Sequence, residues 1–291
     1  MNKALAEVYF IHALSPLHPG VGQGVGSVDL PVAREKATGI PYLPGSSIKG
    51  VLRDAAGSQW PESKIKAIFG PDTNHASEHA GAAYFSDAKL LLLPVRSYAG
   101  VFAYATSPYL LQRFHREATM AGLKPHPLPE DPGDQEALVS EGGKVAEGDR
   151  VYLEDLDFKA QTNPVVFNWE TWLTDHTAGL DLPLEGRLLI LSDDAMGFLL
   201  ETALEVVTRI RIDENTKTVA KGALWFEENL PAESLLYGLL SVAPKAFGGE
   251  PIEGQAILTE LKDLTQTTLQ FGGNATVGRG LARMVFAGGK A

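Results

Sequence analysis

The longest uninterrupted apolar run in this sequence, Leu90 to Val95, is far too short to span a lipid bilayer. The first residues, MNKALAEVYFIHAL, are typical of an opening β-strand, because no continuous apolar core is followed by a small-residue cleavage site. With 291 residues, of which 44% are hydrophobic and 21% are charged, the chain can form a sizeable core. We therefore expect a folded, soluble, cytoplasmic protein with no membrane partner.

The absence of cysteine narrows the chemistry further. Without cysteine the chain cannot form disulfides, thiolate metal sites or thiol nucleophiles. The composition also fits a reducing cytosol, although many other proteins share it.

Alternating apolar patterns predict strands, and apolar stripes at helical spacing behind a capping residue predict helices. The predicted strands cover 5–17, 83–95, 150–158, 233–243, 267–271 and 281–287, and the predicted helices begin near Ser46 or Ser47, Pro61, Ser107-Pro108, Ser192 and residue 253. A polar tip, Asp213 to Lys217, between two alternating runs predicts a β-hairpin at about 207–226. Residues 122–150, rich in Pro, Gly and acids, are expected to be a long insertion or loop. The order of elements predicts an α+β fold, an antiparallel sheet decorated by helices.

The net charge of −11 argues against a generic nucleic-acid binder, whose affinity usually rests on a basic surface. Some of the 25 basic residues are nevertheless clustered, whereas the segment 128–157 is rich in acids. One basic cluster contains Arg34, Lys36, Lys49 and Arg53, and the other contains Arg209, Arg211, Lys217 and Lys221. A nucleic acid could therefore follow a narrow basic track on an acidic protein.

Several short motifs resemble known sites but fail on register. The loop Pro19 to Gly26 lacks the third glycine of a dinucleotide-binding fingerprint, and the lysine of Gly45 to Gly50 precedes its glycine, unlike that of a P-loop. The segment His75 to His79 matches the zinc-protease pattern H-x-x-E-H, but it lies in a loop-like setting without a third ligand. A polar surface loop is the preferred interpretation there. No Ser-His-Asp arrangement is legible in the sequence either.

Two places are suited to phosphate. Ser46, Ser47 and Lys49 lie at a predicted helix N-terminus, where free N–H groups favour anions, and Arg53 shares a helix face with Lys49. The closing loop, Gly272 to Gly280, offers the N–H groups of glycines such as Gly273 together with Arg279, a candidate anion nest. Each could instead be an ordinary cap or turn. Such contacts hold a nucleic acid without reading its sequence.

The N-terminal block 12–56, HALSPLHPGVGQGVGSVDLPVAREKATGIPYLPGSSIKGVLRDAA, resembles the RAMP superfamily, and within it the backbone subunits of type III-B CRISPR (Cmr) effector complexes. The resemblance continues in order through Phe85-Ser86-Asp87-Ala88, Pro94 to Ser97, Gly222 to Glu228 and the closing loop. It covers nearly the whole chain, which makes it far more specific than any single short motif.

The resemblance implies one domain over residues 1–291, with a ferredoxin-like (RRM-like) core and insertions at about 60–82 and 96–150. It implies copies stacked along a CRISPR guide RNA, beside other Cmr subunits, with a protruding hairpin at 207–226 wedged into the guide–target duplex. Arg209 and Arg211 of that hairpin are then expected to contact RNA, although an ordinary hairpin with a charged outer face is the alternative.

The resemblance also implies a cutting site. By motif match, Asp29 is the residue that cleaves target RNA with a divalent metal ion, Mg²⁺ or Mn²⁺, which it would hold. His18 and Glu227 match further positions near the cut. Without the resemblance Asp29 would be interpreted as a turn or capping residue, His18 as a packed histidine and Glu227 as one of a solvated pair. A non-catalytic filament subunit and a guide-processing endonuclease remain the alternative functions.

Overall fold

The computed structural model describes residues 5–22, 28–72, 79–213, 215–246 and 251–288, apart from the side chain of Lys221. The strands within these ranges are β1 (Leu5–Ala13), β2 (Tyr42–Leu43), β3 (Ala83–Phe85), β4 (Ala88–Arg96), β5 (Phe102–Thr106), β6 (Glu136–Val139), β7 (Arg150–Leu153), β8 (Leu156–Thr162), β9 (Leu188–Ile190), β10 (Glu205–Ile212), β11 (Val219–Asn229), β12 (Leu235–Val242), β13 (Lys245–Ala246), β14 (Ile252–Glu253), β15 (Leu269–Gln270) and β16 (Leu281–Phe286). The helices are α1 (Gly45–Gly57), α2 (Glu62–Phe69), α3 (Pro108–Met120), α4 (Pro164–His176), α5 (Asp193–Thr202) and α6 (Gly254–Leu264). In these ranges no helix is long and apolar enough to cross a membrane.

One large sheet organises the chain, in the order β15-β16-β1-β12-β4-β5-β9-β6-β8-β7, with β2 beside β4 and β3 beside β12. Its neighbours are antiparallel except at β5–β9 and β6–β8, which are parallel. The central strands β16, β1, β12 and β4 are all antiparallel to their neighbours. The expected mixed α and β architecture with a mostly antiparallel sheet is therefore confirmed.

Helices cover both faces of the sheet. Successive side chains of β1 point to opposite faces, so the strand contributes apolar residues to a core on each side. Tyr9 and Ile11 join one buried cluster with apolar residues of α1, α2 and α6, including Leu52 and Leu261. Phe10 belongs to a second cluster with residues of α3 and α4. Alternation along one strand thus supplies two cores, one on each side of the sheet.

Local capping signals located several helices correctly. The hydroxyl of Ser107 accepts the N–H of Leu110 and Pro108 opens α3, as predicted. Ser192 caps α5 in the same way through the N–H of Ala195. The helix predicted from Ser46 or Ser47 is present as α1, but its predicted serine cap was wrong: the helix begins at Gly45 behind Pro44, and neither Ser46 nor Ser47 caps it.

The segment 122–150 is not only a loop, since it contains β6, a four-residue strand inside the large sheet. Four residues are too few for alternation to be legible. Helix α4 was also not predicted, although Asn163 accepts the N–H of Val165 and Pro164 follows it, which is a readable start signal. Its apolar residues lie on more than one face, as the 59% exposure of Phe167 shows, and this obscures the helical stripe.

The region predicted as a hairpin contains β10 and β11, which pair in antiparallel register from Glu205 opposite Asn229 to Ile212 opposite Val219. The register shifts between Ile210 and Ile212. These two strands form a sheet of their own, separate from the large sheet. The C-terminal end of β11 thereby provides an edge against which other segments can dock.

Candidate active site

Asp29 is docked on the edge of β11 that faces away from β10. Its Oδ2 accepts the backbone N–H of Phe226 at 2.8 Å. Leu30 continues the contact, because its N–H donates to the carbonyl of Phe226 and its carbonyl accepts the N–H of Glu228, both at 3.0 Å. Asp29 is exposed, and no described residue hydrogen-bonds its Oδ1. One carboxylate oxygen is therefore held by the protein, while the other has no hydrogen-bond partner among the described residues.

His18 is bound to the same edge of β11. It is 6% exposed, and its Nδ1 lies 2.7 Å from the carbonyl oxygen of Glu228. A carbonyl can only accept, so Nδ1 carries the hydrogen and Nε2 is left for another partner. Nε2 lies close to Gly20, where an added Cβ would be only 2.5 Å away. His18 and Asp29 are thus hydrogen-bonded to backbone groups of β11 that lie two residues apart.

Glu227 projects from β11 into a network of donors and is only 4% exposed. Its carboxylate accepts Trp225 Nε1 at 3.0 Å, Arg209 Nε at 3.0 Å and Asn274 Nδ2 at 3.3 Å. Burial opposes ionisation, but the bonds from Trp225 and Arg209 outweigh it and hold the pKa of Glu227 below its ordinary value. Glu227 is therefore an ionised anchor for its neighbours and has no proton to donate near neutral pH.

The cationic side chains around Glu227 are unequally engaged. Arg209 is paired with Glu227, and Arg279 contacts Glu205 at 3.2 Å. Each keeps one buried nitrogen without a partner among the described residues, Nη2 of Arg209 and Nε of Arg279. Arg211 is exposed and forms no ion pair with a described residue. Arg211 is thus the hairpin arginine most open to a phosphate.

The closing loop does not form the predicted anion nest through its glycines. The N–H of Gly273 donates to the carbonyl of His18 at 2.9 Å, and those of Gly278 and Gly280 donate to Ala275 and Pro16. These three N–H groups are therefore occupied by the protein's own carbonyls. The loop instead packs against His18 and, through Asn274, reaches Glu227.

A second group, Ser46, Ser47, Lys49 and Arg53, lies on α1. The N–H of Gly45 is taken by Asp87 Oδ1 at 2.8 Å, so a carboxylate already occupies this helix N-terminus. Arg53 donates to the carbonyls at the end of α2, Gly70 at 3.0 Å and Pro71 at 3.1 Å.

Lys49 is the exception in this group, because it has no ion-pair partner in the described part of the chain. Burial and the nearby charge of Arg53 lower its pKa, which indicates positive charge without local compensation. The hydroxyl groups of Ser46 and Ser47 also make no hydrogen bond to a described residue. The α1 group therefore offers one uncompensated cation and two free hydroxyls to an anion.

Arg34 is grouped in the sequence with Lys36, Lys49 and Arg53, but the protein itself engages its side chain. Arg34 is largely buried and pairs with Glu228 at 2.8 Å, while it also donates to the carbonyls of Gly39 and Leu200. Neither Arg34 nor Glu228 was singled out as part of the site. The two are 194 residues apart in sequence, so no local pattern could have joined them.

The expected metal site has few protein ligands. Outside the gaps in the description, no group of three or more His, Asp or Glu side chains gathers in a way that could hold a metal ion. His75 to Glu78 of the H-x-x-E-H motif lie outside the described residues, and Nε2 of His79 contacts the carbonyl of Lys66 at 3.2 Å. Asp29 is the one predicted ligand with a free, exposed oxygen.

Comparison with known proteins places this geometry in context. The model of the RAMP superfamily matches residues 10–283. The chain is 38% identical over 283 residues to the CRISPR system Cmr endoribonuclease Cmr4 of Pyrococcus furiosus, covering 94% of this chain and 93% of that protein. The crystal structure of oligomeric Cmr4 from the same organism matches with a TM-score of 0.77 at 29% identity, over 98% of both chains. A subunit of a type III-B Cmr-beta complex bound to cognate target RNA shares the fold, with a TM-score of 0.75 at 24% identity over 97% of both chains.

Proposed function

This chain belongs to the RAMP superfamily, and we propose that it is the repeated backbone subunit of a type III-B CRISPR effector complex. In that role it binds guide RNA along a filament of its own copies and cleaves complementary target RNA at regular intervals. The observation that carries the cleavage is Asp29, which is fixed to Phe226 through one oxygen and open to a ligand through the other. The similarity to a Cmr endoribonuclease and to an oligomeric Cmr4 supports the same assignment.

The chemistry asks little of the protein, because RNA can be cleaved by its own 2′-hydroxyl once the strand is held in line. Asp29 would accept or organise the proton of that hydroxyl, which is worth about 10²–10⁴-fold in rate as general acid–base catalysis. His18 would contact the scissile phosphate through Nε2, since Nδ1 is hydrogen-bonded to the carbonyl of Glu228. Glu227 would act by holding Arg209 in place, because its carboxylate is already saturated by donors.

A divalent metal ion, Mg²⁺ or Mn²⁺, belongs to this proposal. Mg²⁺ commonly binds one or two carboxylates and completes its shell with water and phosphate oxygens, which suits a site with Asp29 as its main protein ligand. When bound, such an ion supplies charge to a phosphate or lowers the pKa of a bound water. The residues present therefore fit a metal that is shared with RNA.

The RNA-binding surface we propose has two parts. Lys49, with Ser46 and Ser47, would bind guide phosphates from α1. Arg53 would add a second positive charge on the same helix face. Arg211 would bind RNA from the hairpin, and Arg209, Gly273 and Arg279 would bind it near Asp29. All these contacts would be with the sugar-phosphate backbone of the RNA, as a subunit that must accept any guide requires.

The hairpin is proposed to protrude as a wedge beside the cut. Ile210 and Leu224 lie opposite each other on its outer face and are 48% and 54% exposed. Exposed apolar side chains on a basic hairpin suit contact with unstacked bases. We also propose a ferredoxin-like core built from β1, α1, β4, β12, α6 and β16, which the strand order β16-β1-β12-β4 supports.

Reconstitution of the complex with guide and complementary RNA tests the proposal. Wild type, Asp29→Ala and the matched control Asp175→Ala, an exposed aspartate near the end of α4, are compared for guide binding and for cut positions. We expect regularly spaced cuts from wild type and the control, and guide binding without cuts from Asp29→Ala. Unchanged cutting by Asp29→Ala would refute the catalytic assignment. Guide binding without cutting by wild type would favour the alternative, a structural filament subunit.

A further inference from the structure

Glu228 is a buried carboxylate that the proposed mechanism does not use. It is 7% exposed, and both of its oxygens are occupied. Oε2 accepts the backbone N–H of Val32 at 3.0 Å, and Oε1 accepts Arg34 Nη2 at 2.8 Å. A buried carboxylate is stable only when such donors compensate the loss of water. The pairing with Val32 and Arg34 is therefore a built feature of the fold.

The backbone of Glu228 serves the same region. Its N–H donates to the carbonyl of Leu30, and its carbonyl accepts His18 Nδ1 at 2.7 Å. Leu30 directly follows Asp29 in the chain. One residue thus contacts the segment after Asp29 twice, once through its backbone and once through its side chain, and also holds His18.

Arg34 links this arrangement to two further segments of the protein. Its guanidinium donates to Glu228, to the carbonyl of Gly39 at 2.9 Å and to the carbonyl of Leu200 at 2.8 Å. Leu200 belongs to α5, so the segment after Asp29 is tied to a helix of the main body as well as to β11. The planar fork of arginine is suited to three acceptors at once, which lysine cannot match.

We propose that Glu228 is a positioning residue for target-RNA cleavage and that Arg34 is its partner. The pair sets the place of the Asp29 carboxylate by docking residues 30–34 onto β11, and it does not itself touch RNA. This inference rests on the proposed function of Asp29. Because a shift of about 1 Å in a reacting group can cost about 10²-fold in rate, loosening this dock should affect cleavage far more than binding.

The sharpest variant is Glu228→Gln. Val32 N–H and the Arg34 guanidinium are both donors, and a glutamine amide offers one oxygen and one NH₂ group to them. One donor must therefore lose its acceptor although the side-chain shape is retained. Glu201→Gln is the matched control, because Glu201 faces the same arginine at 3.7 Å but its side chain is 69% exposed. Arg34→Lys is a second variant, which keeps the charge and the Val32 bond.

The measurements are the single-turnover cleavage rate and the target-RNA dissociation constant of the reconstituted complex, with Asp29→Ala alongside. We expect Glu228→Gln to cleave about 10–100-fold more slowly than wild type, with RNA affinity within about twofold and unchanged cut positions. Arg34→Lys should be intermediate and Glu201→Gln indistinguishable from wild type.

Four outcomes distinguish the possibilities. Wild-type rates from both Glu228→Gln and Arg34→Lys, with Asp29→Ala inactive, would overturn the positioning role alone. An equal loss of affinity and rate would also overturn it, because general structural damage explains such a result. If Glu228→Gln fails to assemble, Arg34→Lys decides by the same two measurements. Normal cutting by Asp29→Ala would instead remove the proposed function on which this inference rests.

Discussion

Gly20 lies in the described part of the first glycine-rich loop, at a position where the structure leaves no room for a side chain. A Cβ at residue 20 would lie 2.5 Å from Nε2 and 3.0 Å from Cδ2 of His18. The imidazole cannot simply rotate away, because it is buried, bonded to the carbonyl of Glu228, and packed against Gly273. In Gly20→Ala the ring must therefore move as a whole and lose its hydrogen bond.

The cost of Gly20→Ala follows from two contributions. Forcing an extra carbon into a filled site costs about 1–3 kcal/mol, and losing a hydrogen bond costs about 0.5–1.5 kcal/mol. We expect the free energy of unfolding to fall by about 1.5–4.5 kcal/mol in total. Gly50→Ala is the matched control, since Gly50 lies inside α1 with nothing within 4 Å of an added Cβ. That change should stabilise the protein by about 0.5–1 kcal/mol through helix propensity.

Urea unfolding of the isolated chain, followed by the fluorescence of its four tryptophans at several protein concentrations, measures both effects. The concentration series is needed because any self-association would add its own stabilisation. If Gly20→Ala unfolds at the same free energy as wild type, or gains stability as Gly50→Ala should, the packing of His18 against this loop is not as described and the reasoning fails.

Two further predictions concern the core and the candidate site. Phe114, which is fully buried and contacts the rings of Trp169 and Tyr237, should lose about 3–5 kcal/mol of unfolding free energy on replacement by alanine, measured by the same urea titration. Because the folded-state pKa of Glu227 lies below its ordinary value of 4.5, its stabilisation is present above that value and is lost as pH falls through the folded pKa. The difference in unfolding free energy between wild type and Glu227→Gln should therefore shrink as the pH is lowered below 4.5, and a difference independent of pH from about 3 to about 6 would contradict this account.

Elements with strong local signals were predictable from the sequence. Ser107-Pro108 and Ser192 define the starts of α3 and α5, because a cap acts within three residues of itself. The alternation of β1 likewise identified the strand that separates the two cores. Short elements such as β6 were not predictable, because four residues carry too little periodicity and the strand is stabilised by its neighbours in the sheet.

The candidate site divides in the same way. The glycine-rich loop and the residue types of Asp29, His18 and Glu227 are visible in the sequence, and their resemblance to a family is what marked them. The α1 N-terminus shows the limit of local reasoning, because Asp87, 42 residues away, occupies the N–H of Gly45 where a serine cap was expected. A side chain from a distant segment can thus bind the backbone group that a local cap was expected to bind.

The sequence by itself determined the α+β class, most helix starts, the apolar faces of the central strands and the chemistry available at Asp29. Only the tertiary structure decided that Asp29 docks on Phe226, that Glu227 is saturated by donors, and that Arg34 pairs with Glu228. The physical reason is the distance along the sequence over which each kind of interaction acts. Caps and periodicity act over a few residues, whereas several hydrogen bonds of the site join segments nearly 200 residues apart, which only the fold brings together.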